Sequence, residues 1–283
     1  MTTPCCATGQ PIFKSANKNN MNTMKYVIPF LLALCITGRL TAQEYKVTVE
    51  NTKDGQLTLE DFTGDLPIEG YSGNEIIISH EGERFELPDR AKGLKPVYGG
   101  GTDNTGIALF MEKNGNKVSF RCLLGIGKEG EYHIKVPENM AIKIHRSCEK
   151  GGETTISNMK NEVDFDGCQE VNLKNVTGPL VISTISGGVN VVFSEISKEK
   201  PISIAAISGE VDVTIPATAA VDLEMSNMSG NMYSDFDLTQ DSKNMRRVGG
   251  GSVRATLNGG GTAVKINSIS GNIYLRKGQT TKS

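Results

Sequence analysis

The sequence predicts an all-β protein: a single-stranded β-solenoid, β-helix-like, with rungs of about 21 residues and a β-hairpin excursion. The first observation behind this is a recurring phrase. An apolar pair two residues apart is followed by two free positions, a third apolar residue and Ser-Gly. It occurs at Leu66, Ile68, Tyr71-Ser72-Gly73 and at Leu180, Ile182, Ile185-Ser186-Gly187. It returns at Ile202, Ile204, Ile207-Ser208-Gly209, at Leu223, Met225, Met228-Ser229-Gly230 and at Val264, Ile266, Ile269-Ser270-Gly271. Two copies end in Thr-Gly: Leu57, Leu59, Phe62-Thr63-Gly64 and Val171, Leu173, Val176-Thr177-Gly178. Self-similarity of this kind marks a repeat architecture.

The second observation is the chemistry of the phrase. Apolar residues at i and i+2 share one face of a strand. Ser-Gly then turns a corner, because Gly adopts positive φ without steric cost and Ser bonds its own turn. The third is spacing. Gly187, Gly209 and Gly230 are 22 and 21 residues apart; Gly230 and Gly271 are separated by 41, with Gly251-Ser252-Val253 near the missing corner. An antiparallel sandwich with Gly-rich turns is the alternative, but sandwich strands have no reason to share a fixed register over many turns.

Taken in order, residues 1–23 read as an over-called start or a leading segment. Residues 24–42 read as a signal peptide: Met24-Lys25 is basic, Val27 to Ile36 is almost wholly apolar, and Ala42 offers a small residue for cleavage. Lipoprotein processing at Cys35 is the alternative, although Leu34 before it is not small. Residues 43–79 carry the first rungs and 80–131 a loop and hairpin. In that hairpin Ile107, Leu109 and Met111 alternate up to Asn114-Gly115, then Val118, Phe120 and Cys122 alternate away, with Asn-Gly as a type I′ turn signal. Residues 132–277 form the main solenoid, where Pro137 and Pro216 mark one corner and Asn161 replaces a corner Gly. Residues 278–283 are a frayed polar tail.

Composition narrows the function classes. Thirty basic against 32 acidic residues leave a net charge of −2, which gives no basic patch for nucleic acid. There is no Trp, so aliphatic residues fill the core. No run beyond the leader is long enough to span a bilayer. After cleavage at Ala42, Cys122, Cys148 and Cys168 remain. The last two are 20 residues apart, about one rung, and read either as a disulfide or as two small residues stacked in the interior.

The Ser-Gly corners, the Val-Pro-x-Asn strand end at Val136–Asn139 and the export signal resemble the bacterial putative-adhesin family of Ser/Gly-rich β-solenoid domains. Arg90 to Pro96, Asp103 to Gly106 and Thr-Ala-Gln at the cleavage site resemble its Bacteroidetes branch. The resemblance covers most of 45–277 and implies a fold and an exported location. It implies no catalytic residue.

Chemical motifs are sparse. Gly125 to Gly130 fits GxGxxG, yet a strand-like segment follows where a dinucleotide loop needs a helix. Three histidines, His80, His133 and His145, lie in unrelated stretches, and no CxxC pair exists, so no metal or cofactor is expected. Asp164 and Asp166, like Asp235 and Asp237, share outer strand faces and read as solvation. One constellation stands out. The residue between the paired apolar positions after each corner points outward, giving a column of Asn190, Asp212, Tyr233, Arg254 and Tyr274. These residue types recognise sugars or protein surfaces. The leading expectation is an exported, non-catalytic, adhesin-like envelope or surface protein presenting this face to a glycan or protein. The rivals are a β-helical polysaccharide lyase or hydrolase, and a periplasmic scaffold or regulatory domain that self-associates end to end.

Overall fold

The computed structural model describes residues 43–82, 89–91, 93–94, 101–125, 127–128, 130–198, 200–238 and 251–278; the readings for 1–23, 24–42 and the tail from 279 lie outside these. No helix among the described residues is long and apolar enough to cross a membrane.

Among the described residues the strands fall into two ten-stranded sheets. The first runs, in spatial order, through β1 (Gln43–Thr48), β4 (Glu75–Gly82), β7 (Gly130–Pro137), β3 (Leu66–Tyr71), β9 (Thr154–Ser157), β11 (Val171–Val176), β13 (Val189–Phe193), β15 (Val211–Pro216), β20 (Ile273–Gly278) and β17 (Met232–Ser234). The second runs through β18 (Gly251–Leu257), β16 (Val221–Ser229), β19 (Thr262–Ser270), β14 (Ile202–Ser208), β12 (Leu180–Thr184), β10 (Val163–Gly167), β8 (Ala141–His145), β2 (Gln56–Glu60), β6 (Lys117–Cys122) and β5 (Leu109–Asn114). From β8 to β15 the chain visits the sheets alternately, and each strand pairs in parallel with the next but one.

The apolar pairs become interior ladders. In the second sheet Ile142, Val163, Leu180, Ile202, Val264 and Leu223 register in sequence, and Ile144, Phe165, Ile182, Ile204, Ile266 and Met225 form the next ladder. In the first sheet Val171, Val189, Val211 and Ile273 align likewise. All these side chains are buried, each contributing roughly 1.5–3 kcal/mol. Alternation then sends Thr184, Ala206, Ser268 and Asn227 inward, so the third apolar residue of the phrase points out of the core at Ile185, Ile207, Ile269 and Met228.

Both ends depart from sequence order. The last turn, β19 and β20, is threaded between β14/β15 and β16/β17. Gly251, expected at a missing corner, instead opens β18, which folds back antiparallel onto β16. At the other end β6/β7 sits outside β2/β3, and β4 and β5 cap it with antiparallel pairs. The hairpin loop is Gly115-Asn116 with only Gly115 at positive φ (61°), one residue later than the Asn-Gly signal indicated. Gly278, assigned to the tail, closes β20.

The corner glycines divide. Gly64, Gly209, Gly230 and Gly271 have positive φ; Gly73, Gly178 and Gly187 do not. Gly178 and Gly187 are required by close approach, since a Cβ there would strike the backbone of Asn161 and Gln169. Gly73 differs, because its crowding comes from the Tyr71 ring.

Cys148 and Cys168 form a disulfide with Cα atoms 5.0 Å apart, not two stacked interior residues. Cys148 opens an exposed single-turn helix after β8, and Cys168 follows β10, the parallel neighbour, so the bridge joins adjacent corners. Under the same corner lies Arg146, fully buried. Its Nε donates to the Phe62 carbonyl (3.1 Å), Nη1 to Thr154 Oγ1 (2.8 Å), and Nη2 to the carbonyls of Gly64 (2.6 Å) and Gly151. Burial pushes this guanidinium down to about 10, so it stays charged at neutral pH with neutral partners.

Candidate recognition face

The outward column lies on the first sheet, and the threading of β20 sets its order. Asn190 registers with Asp212, Asp212 with Tyr274, and Tyr274 with Tyr233. Tyr233 and Tyr274 are therefore nearest neighbours rather than two rungs apart, with ring centroids 5.3 Å apart and planes inclined by 12°. Such a stack holds both rings upright and near-parallel, in contact through their faces. Tyr233 is 51% exposed on the terminal strand.

Arg254 is not in the column. It lies on β18 in the second sheet, where its Nη2 donates to Glu224 Oε1 at 2.9 Å and holds that carboxyl below the usual carboxylate range. The reason is the reversal of 251–257, which turns back on β16 instead of continuing the coil. Arg276 fills the vacated role. Its Nε donates to both Asp212 carboxylate oxygens (2.8 and 2.9 Å) and Nη2 to Oδ2 (2.7 Å), while its guanidinium carbon sits 5.5 Å from the Tyr274 ring centre. Donating to the Asp212 carboxylate holds the guanidinium above its ordinary value. Glu210 accepts from the Tyr274 hydroxyl and from Asn272 Nδ2, both at 3.2 Å, and Asn272 Nδ2 also donates to Tyr274 Oη at 3.1 Å.

Glu210, Asn272 and Arg276 were not singled out from sequence, although period 2 carries the signal. Each lies two residues before or after a column member, on the same outer face. The assembled face is an aromatic pair flanked by a bidentate ion pair and an amide–carboxylate–hydroxyl triangle, its polar groups already oriented before any ligand arrives.

Elsewhere the candidate carboxylates are engaged. Asp164 pairs with Lys143 (3.2 Å), Asp166 with His145 (3.1 Å), and Asp235 accepts from the Lys277 amide (3.3 Å). Gly130 opens β7, so no helix follows the GxGxxG run. Among the described residues no group of three His, Cys, Asp or Glu is placed to hold a metal ion. A cleft of about 570 Å³ opens where β3 and β7 begin, before their register starts at Ile68 and Ile134, and Asp65, Glu131, His133, Lys150 and Glu153 line it. Asp65 accepts the Glu153 amide (2.9 Å), Glu153 accepts from Thr155 (2.9 Å) and Asn172 (2.5 Å), and Lys150 donates to the Leu124 carbonyl (3.1 Å).

Three solved structures resemble this chain. One is described as a putative cell adhesion protein from Clostridium sporogenes, at 12% identity and TM-score 0.38, covering 84% of this chain and 100% of that one. Two are described as putative adhesins, from Bacteroides fragilis (11%, 0.34) and Parabacteroides merdae (10%, 0.26), each covering 84% of this chain and 97% of the other. No curated protein matches. The family model described as Toastrack DUF4097 matches residues 20–276, almost the whole chain, and the protein belongs to that family.

Proposed function

We propose that this protein is exported and works without catalysis at the cell envelope or surface, binding carbohydrate through the outer face of the first sheet. A β-solenoid of rungs near 21 residues is the scaffold in this reading; partners such as Ile142–Val163 and Leu180–Ile202, 21 and 22 residues apart, support it, while Val163–Leu180 is shorter at 17. The observation that carries the function is the Tyr233–Tyr274 pair, Tyr233 exposed and Tyr274 half-buried, fixed beside Asp212 and Arg276. Aromatic surface supplies affinity for the apolar face of a sugar ring, and the flanking groups orient its hydroxyls. Tyr233→Ser with Tyr274→Ser should abolish binding on a glycan array and leave the melting temperature within a few degrees. Unchanged glycan binding by the folded double variant refutes the proposal. Loss of attachment to an envelope protein, with no glycan bound by either form, moves it to a protein partner.

A lyase or hydrolase reading has one observation in its favour, the cleft holding Asp65, His133 and Lys150 together. Release of reducing ends from a polysaccharide panel, abolished by His133→Ala, would establish it in place of the binding reading.

A further inference from the structure

A row of carboxylates leads away from the tyrosine pair along the outer face of the first sheet. Its members stand just before the first inward residue of each strand, so alternation turns them outward. Backbone bonds fix their order. The Leu66 amide donates to the Glu153 carbonyl (2.8 Å), Thr154 to Glu170 (2.9 Å) and Val171 to Gly188 (3.0 Å). Val189 donates to Glu210, Val211 to Asn272 and Ile273 to Asn231, each at 2.9 Å. The row therefore reads Asp65, Glu153, Glu170, Gly188, Glu210, Asn272, Asn231, one residue per strand at roughly 4.8 Å. Asp65, Glu170 and Glu210 are exposed and Glu153 is half-buried.

Neutral donors hold one oxygen of each carboxylate. The Glu153 amide donates to Asp65 Oδ1 (2.9 Å), and Thr155 and Asn172 donate to Glu153 Oε1 (2.9 and 2.5 Å). Asn172 also donates to Glu170 Oε1 (3.3 Å), while Tyr274 and Asn272 donate to Glu210 Oε1 (both 3.2 Å). The second oxygen of each has no partner among the described residues. Other outward acids are answered by cations: Asp212 by Arg276, Asp164 by Lys143, Glu60 by Arg121 and Glu224 by Arg254. These four form no ion pair among the described residues. Lys135 stands beside Glu69 (3.8 Å), and Lys174 lies four residues past Glu170, about 13 Å along the strand. Lys150, in the cleft where the row ends, donates to the Leu124 carbonyl (3.1 Å).

We infer that this face takes a glycan bearing free amino groups, its rings packed on Tyr233 and Tyr274 and its ammonium groups on the carboxylate row. The inference rests on the carbohydrate reading of the same face and names the class of sugar. Like charges in register repel, so the row favours a ligand that brings positive charge. From Asn231 to Asp65 it spans about 29 Å, which calls for an extended ligand of several units. Among the described residues no three acidic groups are placed to share one metal ion, so the charge has to arrive at separate points along the row. An amino sugar supplies both an apolar ring face for the tyrosines and an ammonium whose charge-assisted bonds reach the open oxygens. A uronate or sulfated glycan would set anions against the row, and Arg276 already makes three bonds to Asp212.

Isothermal titration of the full chain at about pH 5.5, where amines are protonated and carboxylates ionised, tests the inference. The probes are an oligomer of β-linked glucosamine, its N-acetylated form and an oligogalacturonate. The free-amine oligomer should bind on the order of tenfold tighter than the acetylated one and lose that advantage at high salt, with no binding of the oligogalacturonate. Glu153→Gln with Glu170→Gln leaves the partners of Tyr274 in place and should abolish the preference, the fold remaining intact by circular dichroism. Equal wild-type affinities for the amine and acetylated oligomers overturn the inference and leave the carbohydrate reading standing. A preference that survives in the double variant, or tighter binding of the oligogalacturonate, also overturns it. Absence of binding to any sugar overturns both readings. Tighter binding of an oligolysine peptide than of the amine oligomer, lost in the double variant, assigns the row to a basic protein instead.

Discussion

Gly209 is the sharpest test of the stacked corners. Its φ of 149° lies where side chains are rarely tolerated, and a Cβ would fall 2.5 Å from the Gly187 oxygen and 2.9 Å from its carbon. Those are parts of the neighbouring corner's backbone, which cannot swing aside as a flexible side chain does. Gly209→Ala therefore meets two costs. The backbone conformation contributes about 1–3 kcal/mol. Relieving the contact strains or breaks at least one ladder hydrogen bond, on the order of 1–2 kcal/mol more. Gly259 is the internal control: φ is also positive, at 88°, but nothing lies within 4 Å of its Cβ position, so only a conformational cost of about 1 kcal/mol applies. At about 2–4 °C per kcal/mol for a domain of this size, thermal melts should fall by about 4–20 °C for Gly209→Ala and about 2–4 °C for Gly259→Ala. Equal shifts in the two variants would refute the close stacking of corners.

Three further outcomes follow from the structure. Replacing Cys148 and Cys168 by Ser opens a 20-residue loop and should cost about 3 kcal/mol, with a matching drop in the wild type's melting temperature under reductant. Arg146→Met leaves the Phe62, Gly64 and Gly151 carbonyls without their buried donor and should destabilise by about 3–5 kcal/mol in a urea titration; a loss under 1 kcal/mol would show that the guanidinium is dispensable. Arg254→Ala should leave glycan binding unchanged and lower the melt only slightly at neutral pH, because the Arg254–Glu224 pair is largely solvent-exposed. The depressed Glu224 carboxyl contributes only above its unfolded value, and that small contribution fades as pH falls through its folded value, so any effect of the variant is confined to neutral pH and above the carboxylate range.

Much of the fold is legible because burial enforces it locally. Ile204, Val213 and Leu223 are interior, as the period-2 pairing requires, since a slip of one residue would turn each ladder outward. The site is less legible. That Tyr233, Tyr274 and Asp212 point outward follows from the same alternation, but their order does not, because register between distant turns depends on which turn the chain inserts where. Arg254 shows the limit: its flanking sequence alternates like a rung, and nothing local distinguishes a strand that continues the coil from one that folds back.

What the sequence alone determined is the strand period, the inward ladders and the Ser-Gly corners, since each is written in residues only a few positions apart. Tertiary structure decided the threading of β19 and β20, the contact of two tyrosines 41 residues apart, the recruitment of Arg276 to Asp212, and the exposure of the third apolar residue at four corners. The physical reason is that parallel pairing is set by complementarity of whole turns. A strand matches any neighbour with the same period, so the choice among equivalent partners is made only when the ends of the stack are closed.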